Sequence, residues 1–151
     1  MKLLSTMAFG LSVAAAPLFA DGHASGDASD GEKVFKRCKA CHAVIADDET
    51  VIQKGGKTGP NLYGIYTRAA GSAEGFKFGE DVVAAGEAGL TWDEASFVSY
   101  VADPKKFLAG YLDDTGAKSK MSFKLKDAED AANVWAYLVS VGPEAESEAS
   151  D

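Results

Sequence analysis

The sequence predicts a small all-α domain that closes around something other than protein. Three observations carry this. Apolar residues recur at helical spacing in several segments, each opened by a capping signal. No segment has the strict apolar alternation of a half-buried strand. The stretches between are longer, and richer in glycine and charge, than a compact domain normally holds unaided.

The first helix is signalled by Ser29 with Glu32 three residues on, a capping-box pair. Val34, Phe35 and Cys38 follow at helical spacing, so the helix should run into Cys41. A central helix opens the same way at Thr91 and Glu94 and carries Trp92, Phe97, Tyr100 and Val101. It stops near Asp103, because Pro104 disfavours helical backbone in the residue before it. Asp103 and Pro104 then cap a further short helix. The last helix begins near Asp127 and sets Val134, Tyr137, Leu138 and Val141 at i, i+3, i+4 and i+7, before Gly142 and Pro143 end it. Residues 42–68, 69–90 and 110–126 read as irregular. A large apolar cofactor at the centre would give their apolar side chains a core to join.

The chain has 151 residues, 46% apolar and 25% charged, which fits one ordinary domain. Residues 1–20 read as a signal peptide, with Lys2 as a basic start, Leu11 to Phe19 as an apolar stretch and Ala20 as a small residue to cut after. Leu18 is a poor residue at the third position back from that cut, so Ala24 with Gly22 is a competing site. No later segment approaches the ~20 apolar residues of a spanning helix, and the mature protein is expected to be soluble. Residues 21–30 and 143–151 are small, polar and acidic and should be loose tails, leaving 31–142 as the domain. Without Lys2, the 15 basic residues become 14 against 23 acids, a mature charge of −9, which argues against nucleic acid as a partner. The basic residues cluster near residues 36–57, after Pro104 and around residues 118–126.

The only two cysteines fall in Cys38-Lys39-Ala40-Cys41-His42, the C-x-x-C-H pattern of covalent haem attachment. On a helix, positions i, i+3 and i+4 share one face, so two thioether links and one imidazole can converge on one ring. Three other readings compete. A redox dithiol lacks the flanking strand and helix pattern of a thioredoxin. A zinc site would need a fourth ligand, and only His23 is left to supply it. A disulfide between residues three apart would close a tiny loop and gain little. For a sixth iron ligand, Met121 is the one methionine left once Met1 and Met7 depart with the leader, and Ser119-Lys120-Met121-Ser122 is polar and loop-like. His23, in a Gly- and Asp-rich tail, is the other candidate.

The attachment motif, Gly59-Pro60-Asn61-Leu62-Tyr63-Gly64, the stretch from Trp92 to Pro104, and Lys120-Met121 together resemble the class I cytochromes c, especially bacterial cytochrome c2 with long loops. The resemblance spans Gly31 to about Val141. It implies a small helical cytochrome c fold around one haem c held by Cys38 and Cys41, with His42 and Met121 on the iron. It also implies that the Pro60 carbonyl receives the second ring nitrogen of His42, with Gly59 allowing the approach. By the same resemblance Arg68 and Trp92 hold a propionate, Tyr100 lies beside Met121, Phe123 packs near the exposed haem edge, and Gly31 and Phe35 meet Tyr137. Phe78 departs from the pattern, since relatives commonly carry a tyrosine hydroxyl there, and Ser119 stands where threonine is usual.

Two axial ligands leave the iron no open position, which favours electron transfer over catalysis. The expected function is a monomeric periplasmic carrier that takes single electrons from a bc1-type donor to an oxidase or a photosynthetic reaction centre. By the same resemblance, the lysine stretches that include Lys36, Lys39, Lys105, Lys106 and Lys120 would ring the haem edge, and such a face would steer docking. The alternative is a haem enzyme or ligand sensor, peroxidase-like, in which Met121 detaches.

Overall fold

Helix α1 (Ala28–Phe35) starts on Asp27, whose carboxylate accepts from the Asp30 amide at 2.9 Å. The structure is a computed structural model that describes residues 24–143. The cap thus lies two residues before Ser29. The reason is that the chain ahead of it is already held: the Ser25 amide donates to Glu94 at 2.7 Å and the Asp27 amide to the Asn133 side chain at 2.7 Å. Residues 25–30, expected as loose tail, are therefore part of the fold, and its boundary moves from Gly31 to about Ser25. His23 and the expected leader lie outside the described residues.

The expected run of α1 into Cys41 is also corrected. The α-helix ends at Phe35 and continues as hydrogen-bonded turns, with Cys38 N–H donating to the Phe35 carbonyl at 2.8 Å and His42 N–H to the Cys38 carbonyl at 3.0 Å. The carbonyls that would carry the helix onward are taken from outside, Lys39 by the Gly56 amide and Cys41 by the Gly59 amide, both at 2.9 Å. Beyond His42 the chain makes a small antiparallel hairpin, β1 (Val44–Ile45) with β2 (Val51–Gln53), too short to show alternation in sequence. A single 3-10 turn follows at Ile65–Thr67.

Helix α2 (Glu80–Glu87) lies inside a stretch that reads as irregular. It has no side-chain cap, and only Val82 and Ala85 are buried, so neither a start signal nor a periodic stripe marks it. Helix α3 (Glu94–Ala102) is capped by Asp93 rather than Thr91, through a box in which the Asp93 carboxylate accepts from the Ser96 amide and the Ser96 hydroxyl accepts from the Asp93 amide. Trp92 consequently precedes the helix instead of riding on it. Helix α4 (Pro104–Tyr111) follows the expected Asp103 cap and first-turn proline, and it runs one residue beyond Gly110, where irregular chain was expected to begin. Helix α5 (Ala128–Ser140) starts on Asp127 as expected and buries seven residues from Ala131 to Leu138.

The core forms where α1 crosses α5. Phe35 is fully buried, with its ring centroid 5.4 Å from that of Tyr137. A Cβ on Gly31 would sit 1.9 Å from the Asn133 carbonyl oxygen, so only glycine permits this approach. Trp135 continues the core toward Phe97, 5.3 Å between ring centroids.

Asp93→Ala should destabilise the domain by about 1 kcal/mol, the usual worth of such a cap, and lower the melting temperature by several degrees. Hydrogen bonds from the Ser96 hydroxyl and amide hold the Asp93 carboxyl below the ordinary carboxylate range. A depressed folded pKa gives stability that is present above the unfolded pKa and lost as pH falls through the folded one. The gap between the two proteins should therefore narrow below about pH 4. Thermal melts at pH 7 and pH 3 measure it.

Candidate functional site

The attachment motif lies on the turns that follow α1, pinned from behind by the loop 54–60. Cys38 is half-buried and Cys41 exposed. Burial pushes the Cys38 thiol up to about 11, and Cys41 adds to this while the Arg37 charge opposes it. An exchange-active dithiol works through a depressed thiol pKa, the opposite direction. Among the described residues, no group of three or more His, Cys, Asp or Glu is arranged to hold a metal ion by itself.

His42 Nδ1 lies 2.9 Å from the Pro60 carbonyl oxygen. A carbonyl only accepts, so Nδ1 carries the proton and Nε2 keeps its lone pair for a metal. Burial lowers the His42 pKa, with the Pro60 bond opposing it, and a neutral imidazole is the ligand form. Gly59 makes the arrangement possible, since a Cβ there would lie 2.4 Å from His42 Cε1. The loop carrying Pro60 is tied down by Asn61, whose side chain accepts from the Ile45 amide at 3.0 Å and donates to the Ile45 carbonyl at 2.7 Å. Sequence reasoning assigned Asn61 no role, because nothing local distinguishes it from any turn asparagine.

A cavity of about 330 Å³ opens beside this motif. Cys38, Cys41, His42 and Pro60 line it together with Arg68, Trp92, Tyr100 and Met121, so these eight residues meet at one place. Met121 stands in chain without helix or strand, and its amide donates to the Ser119 hydroxyl at 3.1 Å. The Tyr100 hydroxyl lies 3.4 Å from the same oxygen, which brings Tyr100 alongside the segment that carries Met121. Burial raises the Tyr100 pKa and Ser119 opposes the shift, so the phenol stays neutral. Trp92, buried, lies edge-on to Tyr100 with centroids 5.0 Å apart.

Arg68 lines the cavity but is only half-buried, and its guanidinium donates to the Tyr63 carbonyl at 2.9 Å and to the Asn61 carbonyl. Its partners here are backbone oxygens, with burial lowering its pKa and the charge of Asp47 opposing. Phe123 is 37% exposed at the cavity rim, with the Arg37 guanidinium 5.6 Å from its ring centroid. Phe78 also lines the cavity and packs edge-on to Phe76, centroids 4.9 Å apart.

Two thiols, a metal-ready imidazole nitrogen, a soft thioether and a mostly apolar wall fit a haem c, both in ligand chemistry and in kind of site. No helix among the described residues is long and apolar enough to cross a membrane.

No family model matches the chain. It is 54% identical over 132 residues to cytochrome c-551 of Roseobacter denitrificans, covering 87% of this chain and 89% of that protein. It is 51% identical over 118 residues to cytochrome c2 of Cereibacter sphaeroides, covering 77% and 95%. Among solved structures it resembles cytochrome c2 of Rhodobacter sphaeroides, with TM-score 0.76 and 50% identity over 78% of this chain and 98% of that one. Cytochrome c2 of Paracoccus denitrificans gives TM-score 0.75 and 50% identity over 80% and 99%.

Proposed function

The chain belongs to the class I cytochromes c of bacterial cytochrome c2 type, and from that premise we propose that it shuttles single electrons between membrane redox complexes in the periplasm, with His42 and Met121 as its iron ligands. It is an electron-transfer protein rather than an enzyme, and it carries one haem c attached through Cys38 and Cys41. When bound, that group supplies a one-electron ferric/ferrous couple. The observation that carries the ligand reading is that His42, with Nε2 left free by its Pro60 bond, lines the same cavity as Met121.

The residues then divide the work. His42 and Met121 would both hold the iron, which would leave no ligand position for oxygen, peroxide or substrate. Pro60 fixes the imidazole plane and tautomer and makes His42 a better donor. A thioether ligand from Met121 would favour the ferrous state, and the wall of buried Trp92 and half-buried Tyr100 would disfavour the extra ferric charge, so a positive potential is expected. Arg68 and Trp92 support a propionate on their side of the cavity. Residues 1–20 serve as the export signal of a monomer whose cytochrome domain extends to about Gly142.

Docking uses the basic side of the molecule. Arg37, Lys118 and Lys120 line the cavity rim, and Lys105 and Lys106 are exposed on α4, while the charges of Arg37 and Lys124 are partly offset by Asp130 at 3.3 Å and Asp103 at 2.6 Å. The partners are a bc1-type donor and an oxidase or a photosynthetic reaction centre as acceptor. Replacing Lys105, Lys106 and Lys120 with glutamine should slow the low-salt reaction with a bc1-type complex about tenfold and flatten its dependence on ionic strength. Stopped-flow rates across a salt series check this, and an unchanged low-salt rate means that docking uses another face.

Optical spectra of the purified protein, oxidised and reduced, test the whole reading. Thioether-linked haem bands with the weak far-red absorption of sulfur-bound ferric iron support it. Haem without that band at neutral pH removes Met121 from the iron.

A further inference from the structure

The segment that presents Met121 has no regular structure of its own. From Gly116 to Lys126 there is neither helix nor strand, so its backbone lacks a repeating ladder and must be placed by contacts with other elements. Its ends are buried, Ala117 at 1% and Leu125 at 2% exposed, and they act as two feet in the core. On the far side of Met121, the Leu125 amide donates to the Val101 carbonyl of α3 at 2.8 Å and the Lys124 ammonium to Asp103 at 2.6 Å. On the near side, the bond from another element to this backbone is made by Asp81, in the first turn of α2, whose carboxylate accepts from the Lys118 amide at 2.7 Å. The Lys120 ammonium adds a second tie to the same region, donating to the Lys77 carbonyl at 2.6 Å.

We propose that Asp81 is a positioning residue for Met121: α2 works as a clasp that holds the approach to the ligand, while α3 and Asp103 hold its exit. This rests on the reading of Met121 as an iron ligand and goes beyond it, because the bond from Asp81 is made to the Lys118 amide and not to Met121 itself. The physical case is leverage. A charge-assisted bond to a backbone amide is among the stronger single hydrogen bonds, and it lies three residues before Met121, between the buried Ala117 and the Lys120 tie to Lys77. Losing it leaves the exposed Lys120 ammonium as the remaining tie to another element on that side and loosens the segment between its two feet, Ala117 and Leu125. The sulfur then spends more time away from its position, and a competing ligand finds the site open more often. Helix α2 has no side-chain cap and only two buried residues, yet its first turn reaches the strap.

The test uses the holoprotein, with imidazole as the competing ligand in the ferric state. Asp81→Ala should raise imidazole affinity about tenfold, the worth of one lost hydrogen bond to a charged group, and weaken the far-red sulfur band. Asp81→Asn keeps a side-chain oxygen that can accept from Lys118 and should stay within about twofold of the parent. Hydrogen exchange at the Lys118 and Met121 amides reads the strap independently of iron, and should quicken in Asp81→Ala while α5 amides are unaffected. Unchanged imidazole affinity or unchanged exchange at those amides overturns the proposal, as does a fall in denaturant midpoint with neither of them moving. A parent protein without the sulfur band fails at the ligand reading instead, and then Asp81 holds a strap that carries no ligand.

Discussion

Met121→Ala is expected to lower the midpoint reduction potential by on the order of 100 mV, since axial ligand choice spreads haem potentials over about 0.8 V. The thioether is a soft donor that favours the ferrous state, and alanine offers nothing in its place. Of its neighbours in the cavity, the Ser119 hydroxyl is engaged with the Met121 amide, and Tyr100, kept neutral by burial, is no anionic donor. The far-red sulfur band should vanish, and small ligands such as imidazole or azide should bind the ferric protein readily. The fold should survive, because Met121 is only partly buried and its strap is anchored by Ala117 and Leu125. A redox titration reads the effect directly. A shift of about 59 mV is tenfold in the one-electron equilibrium, so the expected change is well resolved. A potential and band both unaltered would mean that another group occupies that position.

The largest effect on stability is expected at Phe35. Phe35→Ala should destabilise the holoprotein by about 3–5 kcal/mol, a substantial part of the 5–15 kcal/mol typical of a domain. The ring is fully buried, it packs 5.4 Å from Tyr137, and the close seating of Gly31 on Asn133 leaves α1 little freedom to collapse into the cavity. The consequence reaches the site, because the Phe35 carbonyl accepts from the amides of Cys38 and Lys39 at 2.8 and 3.1 Å. Guanidinium unfolding curves with unchanged slope and a lowered midpoint would measure it. A loss below about 1 kcal/mol would show that the α1–α5 crossing is not the core of this fold.

How much was legible follows from the range of the interactions. Asp103 with Pro104, and Asp127 before its apolar stripe, announce their helices because a cap and the residues it serves are three apart. Where two caps compete within a few residues, local signals mislead. Ser29 and Thr91 look as good as Asp27 and Asp93, and the choice goes to the residue whose surroundings are already held, by Glu94 and Asn133 in the first case and by the Ser96 box in the second. Helix α2 announces nothing. It exists because Gly86 lets it lie against the Ala70 carbonyl, where a Cβ would come within 2.0 Å, and that fit belongs to two segments at once.

The same division runs through the site. Local sequence was enough for the attachment chemistry, since Cys38, Cys41 and His42 lie within five residues and hydrogen-bonded turns bring them together whatever the rest of the chain does. It was also enough for the helical class, through caps and stripes that act within one or two turns. It took the folded chain to direct the His42 N–H onto the Pro60 carbonyl, to anchor Arg68 on backbone oxygens, and to bring Met121 into the same cavity on a strap clasped by Asp81 and Asp103. Those are contacts between residues separated along the chain. Each forms only when loop closure, burial and a compatible surface on the other segment are satisfied together, and no window of neighbouring residues contains that information.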